Sequence, residues 1–473
     1  MIRLFILIIC FVHFSACSNS QTEQETKEIS ATGTSVAITV KDTFTKGTLL
    51  PHVACLADAS QSYALYIPAT LKTTSLPVLF CFDPHGDGAL PLQHYKTLAD
   101  QFGFIMIGSN NSKNGNDWTT TQTILNTLFT DVKNRVVFNQ ARIYALGFSG
   151  GAKVAGYAAL HQQGIQGIIV SGAGLPDDEA IRGFPFSITA MAGRGDMNMT
   201  DLVAMNAALD GTSTVHRLVL FDGKHAWPPA DDMRAAFTAI QFDAMRNNTS
   251  LRNDSAISTY ITRAKNEIKK EEAAHQWLHA EQSCEVAINL LMNLTNTASF
   301  SDEQTVIKHN PLYAQQQQLT EHLLAQEEEI KQAFQQQFSQ GDMSYWKNAI
   351  TTLQQKAKGT TPEAAMNQRL LAYLSLAFYS LSNRLISGNQ NDAAQHFVAL
   401  YKMADATNAE AWYFSAILNA RNNNAAATQS DLIQAASFGF IDTARLHQQP
   451  EFLPIASQLN FGVIESKMKA AAE

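Results

Sequence analysis

Short apolar runs and amphipathic stretches take turns along roughly the first half of the chain, from about residue 36 to residue 247. Residues 77–82 (PVLFCF) are almost wholly apolar, the pattern of a strand buried on both faces, while residues 62–67 alternate and stop at Pro68. Further strands are predicted over 104–108, 141–146, 167–170, 186–191 and 215–221, with helices over 92–102, 120–136 and 150–162 between them. This β–α–β–α rhythm predicts a mostly parallel sheet with helices on both faces. After residue 247 the pattern changes. Gly and Pro become rare, Ala, Gln, Leu and Asn dominate, and no strand is predicted. Residues 255–294 read as a helix pair or one long helix. The Gln-rich segment 315–337 keeps an apolar stripe at Leu319, Leu323, Leu324, Ile330 and Phe334, which predicts a helix with a solvated glutamine face. Near the end, Asn391-Asp392-Ala393-Ala394 recurs as Asn424-Ala425-Ala426-Ala427, an offset of 33 residues (424 minus 391). A period of about 34 residues suggests stacked helix hairpins, with a generic helical bundle as the alternative.

Length and charge narrow this further. At roughly 100–200 residues per domain, 473 residues predict two or three domains. With 34 basic and 42 acidic residues the net charge is −8, which provides no electrostatic footprint for nucleic acid. A 45% hydrophobic share excludes disorder as the main theme. The chain begins Met1-Ile2-Arg3 and is then almost wholly apolar to Val12, too short to span a bilayer but suited to an export signal. Its exit, Phe14-Ser15-Ala16-Cys17, precedes a polar tract. The expected partition is therefore a signal over 1–16, a polar linker over 17–33, an α/β domain over 34–247 and an all-α domain over 248–473. Cys55, Cys81 and Cys284 remain for the folded part and read as small buried hydrophobes.

The chemistry concentrates in three places. Gly147-Phe148-Ser149-Gly150-Gly151 follows a predicted strand and opens a predicted helix, the setting of a nucleophile elbow. A serine hydroxyl needs a base to take its proton, and the base needs an orienting acid. Two later strand ends supply both in chain order: Ala192-Gly193-Arg194-Gly195-Asp196, then Asp222-Gly223-Lys224-His225. Ser149 is thus the expected nucleophile, His225 the general base and Asp196 its orienting acid. Singly, Asp196 could be a loop cap and His225 a surface histidine; their order and spacing favour the triad. The oxyanion would take the N–H of Gly150 and one from the loop 83–88, either Gly86 or Asp87. The polar loop 108–118, with Asn110, Asn111 and Trp118, follows a strand at the same sheet edge and is a candidate substrate wall, as is Trp227; a plain surface turn is the alternative. No metal or cofactor is expected, because neither calcium-loop spacing nor a histidine pair occurs.

These residues resemble known families. Phe14-Ser15-Ala16-Cys17 resembles the lipobox of bacterial lipoproteins, with Phe14 where that family usually has Leu. The resemblance implies lipidation at Cys17 and an exported protein anchored on the periplasmic or cell-surface face of a membrane; an ordinary secretory signal is the alternative. Segment 36–247 resembles the α/β-hydrolase fold, and most closely the exported esterases of the dienelactone hydrolase, polyhydroxybutyrate depolymerase and feruloyl esterase type. Gly223-Lys224-His225-Ala226-Trp227-Pro228-Pro229 is similar to their Gly-Gly-His-x-Trp-Pro segment, although dienelactone hydrolases use cysteine where this chain has Ser149. The last 100 or so residues resemble degenerate tetratricopeptide repeats.

The expected function is hydrolysis of a carboxylic ester, on a small molecule or attached to a polysaccharide, through an acyl-enzyme. Only about a dozen residues separate Ala173 from Phe186, too few for a lipase-type lid, so an open pocket is expected. Two other readings compete. A serine peptidase would use the same triad, and a repeat-type scaffold lipoprotein would carry a vestigial hydrolase domain and bind a protein partner on its helices.

Overall fold

A computed structural model describes residues 43–69, 76–177 and 179–472. The expected signal peptide, Cys17 and the 17–33 linker lie outside the described residues. Lys41–Glu473 forms one compact unit. Its first part runs β1 (Leu50–Ala54), β2 (Ser62–Tyr66), β3 (Val78–Phe82), α1 (Ala89–Phe102), β4 (Ile105–Ser109), α2 (Trp118–Arg135), β5 (Ile143–Phe148), α3 (Gly150–His161), β6 (Ile165–Ser171), β7 (Ser187–Gly195), α4 (Met199–Leu209), β8 (His216–Lys224) and α5 (Ala230–Asn247). The strands form a single sheet in the order β1-β2-β4-β3-β5-β6-β7-β8. β2 is antiparallel to both neighbours, and every pairing from β4 to β8 is parallel. That order and direction are those of the α/β-hydrolase fold.

The apolar runs explain the layering. Successive side chains of a strand point to opposite faces. Phe80 and Phe82 enter one core with Leu125 and Phe129 of α2 and Ala152 of α3. Leu79 and Cys81 enter the other with Leu92 and Tyr95 of α1 and Phe237 and Ile240 of α5. Two elements carried no readable signal. β1 (LPHVA) lies at the sheet edge with Pro51 and His52 exposed, so it lacks alternation. α4 buries only Met199, Leu202 and Leu209. Helix α1 starts three residues earlier than the apolar pattern indicates, because the Asp87 carboxylate accepts from the N–H groups of Ala89 and Leu90 (3.1 and 3.2 Å).

The helical part comprises α6 (Asp254–Ala273), α7 (Trp277–Leu291), α8 (Ala298–Lys308), α9 (Pro311–Gln337), α10 (Met343–Lys356), α11 (Pro362–Ser387), α12 (Asn391–Ala404), α13 (Ala409–Arg421), α14 (Ala425–Ser437) and shorter elements to the C-terminus. Segment 255–294 resolves into a pair, α6 and α7, broken where His275 takes a φ of 57°. On α9, Gln315, Gln317, Gln318, Gln335 and Gln336 are exposed while Leu323 and Phe334 are buried. The repeat has a structural counterpart. Asn389 (φ 54°) turns α11 into α12, and Asn423 (φ 53°) turns α13 into α14, an offset of 34 (423 minus 389). Asn tolerates the left-handed conformation better than most residues, which accounts for it at both turns. The structure therefore sets the period at 34, one more than the tetrapeptide match.

Helices and sheet are welded together. The outer side of α5 (Ala239, Phe242, Met245) shares a core with Ile257, Cys284 and Phe300 of α6–α8. Beside it the Arg217 guanidinium of β8 donates two bonds to the Asp243 carboxylate of α5 (2.9 and 3.0 Å), one to Thr189 Oγ1 (3.0 Å) and one to Asn289 Oδ1 of α7 (3.1 Å). Burial alone would raise the Asp243 carboxyl, but the Arg217 and Arg246 charges and the hydrogen bonds to it together outweigh burial and hold the group below its ordinary value. Asp243→Ala leaves two arginines without their partner, since Arg246 also binds that carboxylate, and should cost about 3–5 kcal/mol in denaturant melts. A depressed folded-state value means that this stabilisation is complete above about pH 4 and drains away as pH falls further. The gap between wild type and Asp243→Ala should therefore narrow in acid.

The three cysteines are free and buried. Burial pushes the Cys55 and Cys284 thiols up to about 11 and about 12, and raises Cys81 as well, so all three stay protonated near neutrality.

Candidate active site

β5 ends at Phe148 and α3 begins at Gly150, so Ser149 alone makes the turn. Its φ of 52° and ψ of −123° are strained for any residue with a Cβ. The glycines make that turn feasible. A Cβ on Gly147 would lie 2.0 Å from the Gly151 carbonyl oxygen, one on Gly151 would lie 2.0 Å from the Phe82 carbonyl oxygen, and one on Gly150 would lie 1.8 Å from Asn114 Oδ1. Ser149 N–H donates to the Ser171 carbonyl (2.8 Å), which ties the turn to the end of β6.

The structure brings Ser149, His225 and Asp196 together. His225 Nε2 lies 3.0 Å from Ser149 Oγ, and His225 Nδ1 lies 2.9 Å from Asp196 Oδ1. Asp196 follows β7 and is buried; its side chain also accepts from Asn198 N–H (2.9 Å). His225 follows β8, packed against the Phe148 ring at 4.8 Å and partly open to solvent. With Nδ1–H donated to the carboxylate, Nε2 is left as the acceptor facing the serine hydroxyl. The Asp196 carboxylate stabilises a positive charge on that ring.

The loop that carries His225 is braced from behind. Trp227 Nε1–H donates to Asp83 Oδ2 (2.9 Å), and Tyr95 O–H donates to the Pro228 carbonyl (2.7 Å). Asp83 is buried at the end of β3 and also accepts from the His85 backbone N–H (2.8 Å). Burial alone would raise its carboxyl, but the bonds from His85 and Trp227 outweigh this and keep it below the usual carboxylate range. In return the bond to Asp83 lifts His85 above the ordinary imidazole value.

Several expected ligand-facing residues do other work. Gly86 N–H donates to the Asp83 carbonyl (3.2 Å), closing a turn with Gly86 at φ 78°, so it is not an oxyanion donor. Asp87 N–H has no bond among the described residues, and Gly150 N–H belongs to the first turn of α3, whose donors lack intrahelical partners. Asn110 accepts from Gly88 N–H (3.1 Å) and donates to the Pro51 carbonyl and Ser62 Oγ (both 3.1 Å). Asn111 accepts from Ser62 N–H (2.8 Å) and donates to the Ser60 carbonyl (3.1 Å). Their amides thus hold the loop to the sheet edge. Trp118 stacks on Tyr157 of α3 at 4.5 Å, and the Trp227 indole N–H is spent on Asp83.

The residue beside the turn is instead Asn114, whose side chain lies against Gly150. Asn114 belongs to the predicted 108–118 loop and Phe148 to the Gly147–Gly151 motif, while Gly172 and Asn198 escaped the sequence reading. Gly172 has a φ of 66°, and a Cβ there would meet the Phe148 ring at 2.6 Å and Asp196 Oδ2 at 3.2 Å. Asn198 Nδ2 donates to the Gly172 carbonyl (2.7 Å). Only the glycine-rich setting of Gly172-Ala173-Gly174 could have flagged any of them. A cavity of about 1110 Å³ lies elsewhere, lined by Arg217 and Leu220 of β8 and residues of α5–α7; neither Ser149 nor His225 borders it.

No family model and no curated protein matches the chain. Among solved structures it is similar to an esterase of the hyperthermophilic archaeon Pyrobaculum calidifontis, at 10% identity over 44% of this chain and 88% of that one, with a TM-score of 0.35. It is similar to an S-formylglutathione hydrolase from Staphylococcus aureus at 11% identity over 38% and 90% of the two chains, TM-score 0.31. It is also similar to Est1E from Butyrivibrio proteoclasticus at 13% identity over 40% and 95%, TM-score 0.32.

Proposed function

We propose that this chain is a serine hydrolase acting on carboxylic esters. The observation that carries the proposal is the hydrogen-bonded series Ser149–His225–Asp196, with its serine held at positive φ on a strand-to-helix turn. Ser149 Oγ attacks the ester carbonyl as His225 Nε2 takes its proton, forming a new C–O bond and a tetrahedral oxyanion. The Gly150 and Asp87 N–H groups receive that oxyanion, with the N-terminus of α3 adding positive potential. His225 returns the proton to the alcohol oxygen as the ester C–O bond breaks. A water, deprotonated by the same nitrogen, then attacks the acyl-enzyme, and the carboxylic acid leaves as Ser149 regains its proton.

Ester and amide cleavage share these steps, so the reaction class is tested by a paired assay. The full chain is expected to release nitrophenol from a short nitrophenyl ester and to leave the matching nitroanilide intact. Turnover of the nitroanilide alone would reassign the chain as a peptidase. The Arg3-to-Cys17 pattern supports export with a lipid on Cys17, and mass measurement of the mature N-terminus tests that point.

A further inference from the structure

We propose that Arg369 is a positioning residue for Asp196, so that the helical half of the chain holds the acid of the site; this rests on the triad reading above. The sheet alone does not hold the acid loop. The β7–β8 register slips between Gly193, which faces Phe221, and Gly195, which faces Lys224. Arg194 thus sits where the regular ladder fails, two residues before Asp196, and bulges of this kind re-aim the chain beside active sites.

Three helices take over at that point. Arg369 of α11 donates Nη1–H to the Arg194 carbonyl (2.5 Å). The rest of its guanidinium is fixed on Glu327 of α9, with Nε 2.8 Å and Nη2 2.6 Å from Oε2, while Lys331 Nζ lies 2.8 Å from Oε1. The Arg194 side chain runs to α7, donating to Gln282 Oε1 (2.8 Å). Gln368 of α11 lies so close to Gly195 that a Cβ there would meet its Oε1 at 2.4 Å. Arg369 is 4% exposed and Glu327 1% exposed.

Burying these charges is costly, and Arg369 and Lys331 are both paired with Glu327 within the helices. The bond to Arg194 is not needed for that pairing. It fixes the backbone from which Asp196 reaches His225. A shift of about 1 Å in a positioned group can cost roughly 100-fold in rate.

The test is a double-mutant cycle on the full chain, read as kcat and KM on a short nitrophenyl ester. Arg369→Met is expected to lower kcat about 10- to 100-fold with KM unchanged. In the Asp196→Asn background the same change should have no further effect, because the group being positioned is already lost. Arg369→Lys keeps the charge and one donor and should recover part of the loss. Glu327→Gln, which loosens Arg369 by neutralising the carboxylate that fixes it, reports the same pattern at smaller size and serves if Arg369→Met fails to fold. Unchanged kcat in a folded Arg369→Met, or an equal loss in both backgrounds, overturns the proposal. If Asp196→Asn itself keeps full activity, the triad reading fails instead.

Discussion

Ser149→Ala should abolish ester hydrolysis, lowering kcat by on the order of 10⁴-fold or more, while the thermal midpoint stays near that of the wild type. The substitution removes one oxygen, the atom 3.0 Å from His225 Nε2, and disturbs no core contact. The φ of 52° is imposed by the surrounding turn and not by the hydroxyl. The Ser149 N–H bond to the Ser171 carbonyl is a backbone bond and survives. Rate and stability should therefore part company, which circular dichroism melts and a nitrophenyl ester assay read directly. A variant that loses its fold along with its activity would indicate that the serine is structural.

The second large effect is expected at Asp196. Asp196→Asn is nearly isosteric, yet it should lower kcat by about 10⁴-fold with little change in KM. Asp196 Oδ1 lies within hydrogen-bond reach of both His225 Nδ1 and the Asn198 N–H, so an amide placed there can keep both contacts only with its oxygen facing them. Turned the other way, its NH₂ forces the imidazole to accept at Nδ1 and to carry its proton at Nε2, where it can no longer take one from the serine. Even in the favourable orientation the neutral amide gives the imidazolium no counter-charge. Loss confined to KM would argue that Asp196 serves substrate binding instead.

The sheet was legible because its strands are written in apolar runs. Val78 to Phe82 are buried throughout, and such runs cannot be solvated. The nucleophile turn was legible for a related reason, since only glycine fits at 147 and 151, and that requirement is visible in the letters. Residues acting through long-range hydrogen bonds left no such trace. The Asn110 and Asn111 straps and the Trp227–Asp83 brace depend on which atoms meet across 22 to 144 residues of chain. β1 was missed because an exposed edge strand need not alternate. The tie from Arg369 to Arg194 spans 175 residues and joins two parts whose composition suggested separate work. No local pattern encodes it, because the pairing is made by the packing of α9 and α11 against the end of β7.

The most direct measurement is covalent capture of the nucleophile. The full chain treated with a fluorophosphonate should gain the mass of one phosphonyl group, lost fluoride being the leaving group, and peptide mapping should place it on Ser149. Labelling should vanish in Ser149→Ala and weaken strongly in Asp196→Asn, in step with the lost hydrolysis. A wild-type chain that cleaves esters without taking the label, or takes it on another residue, would contradict the account.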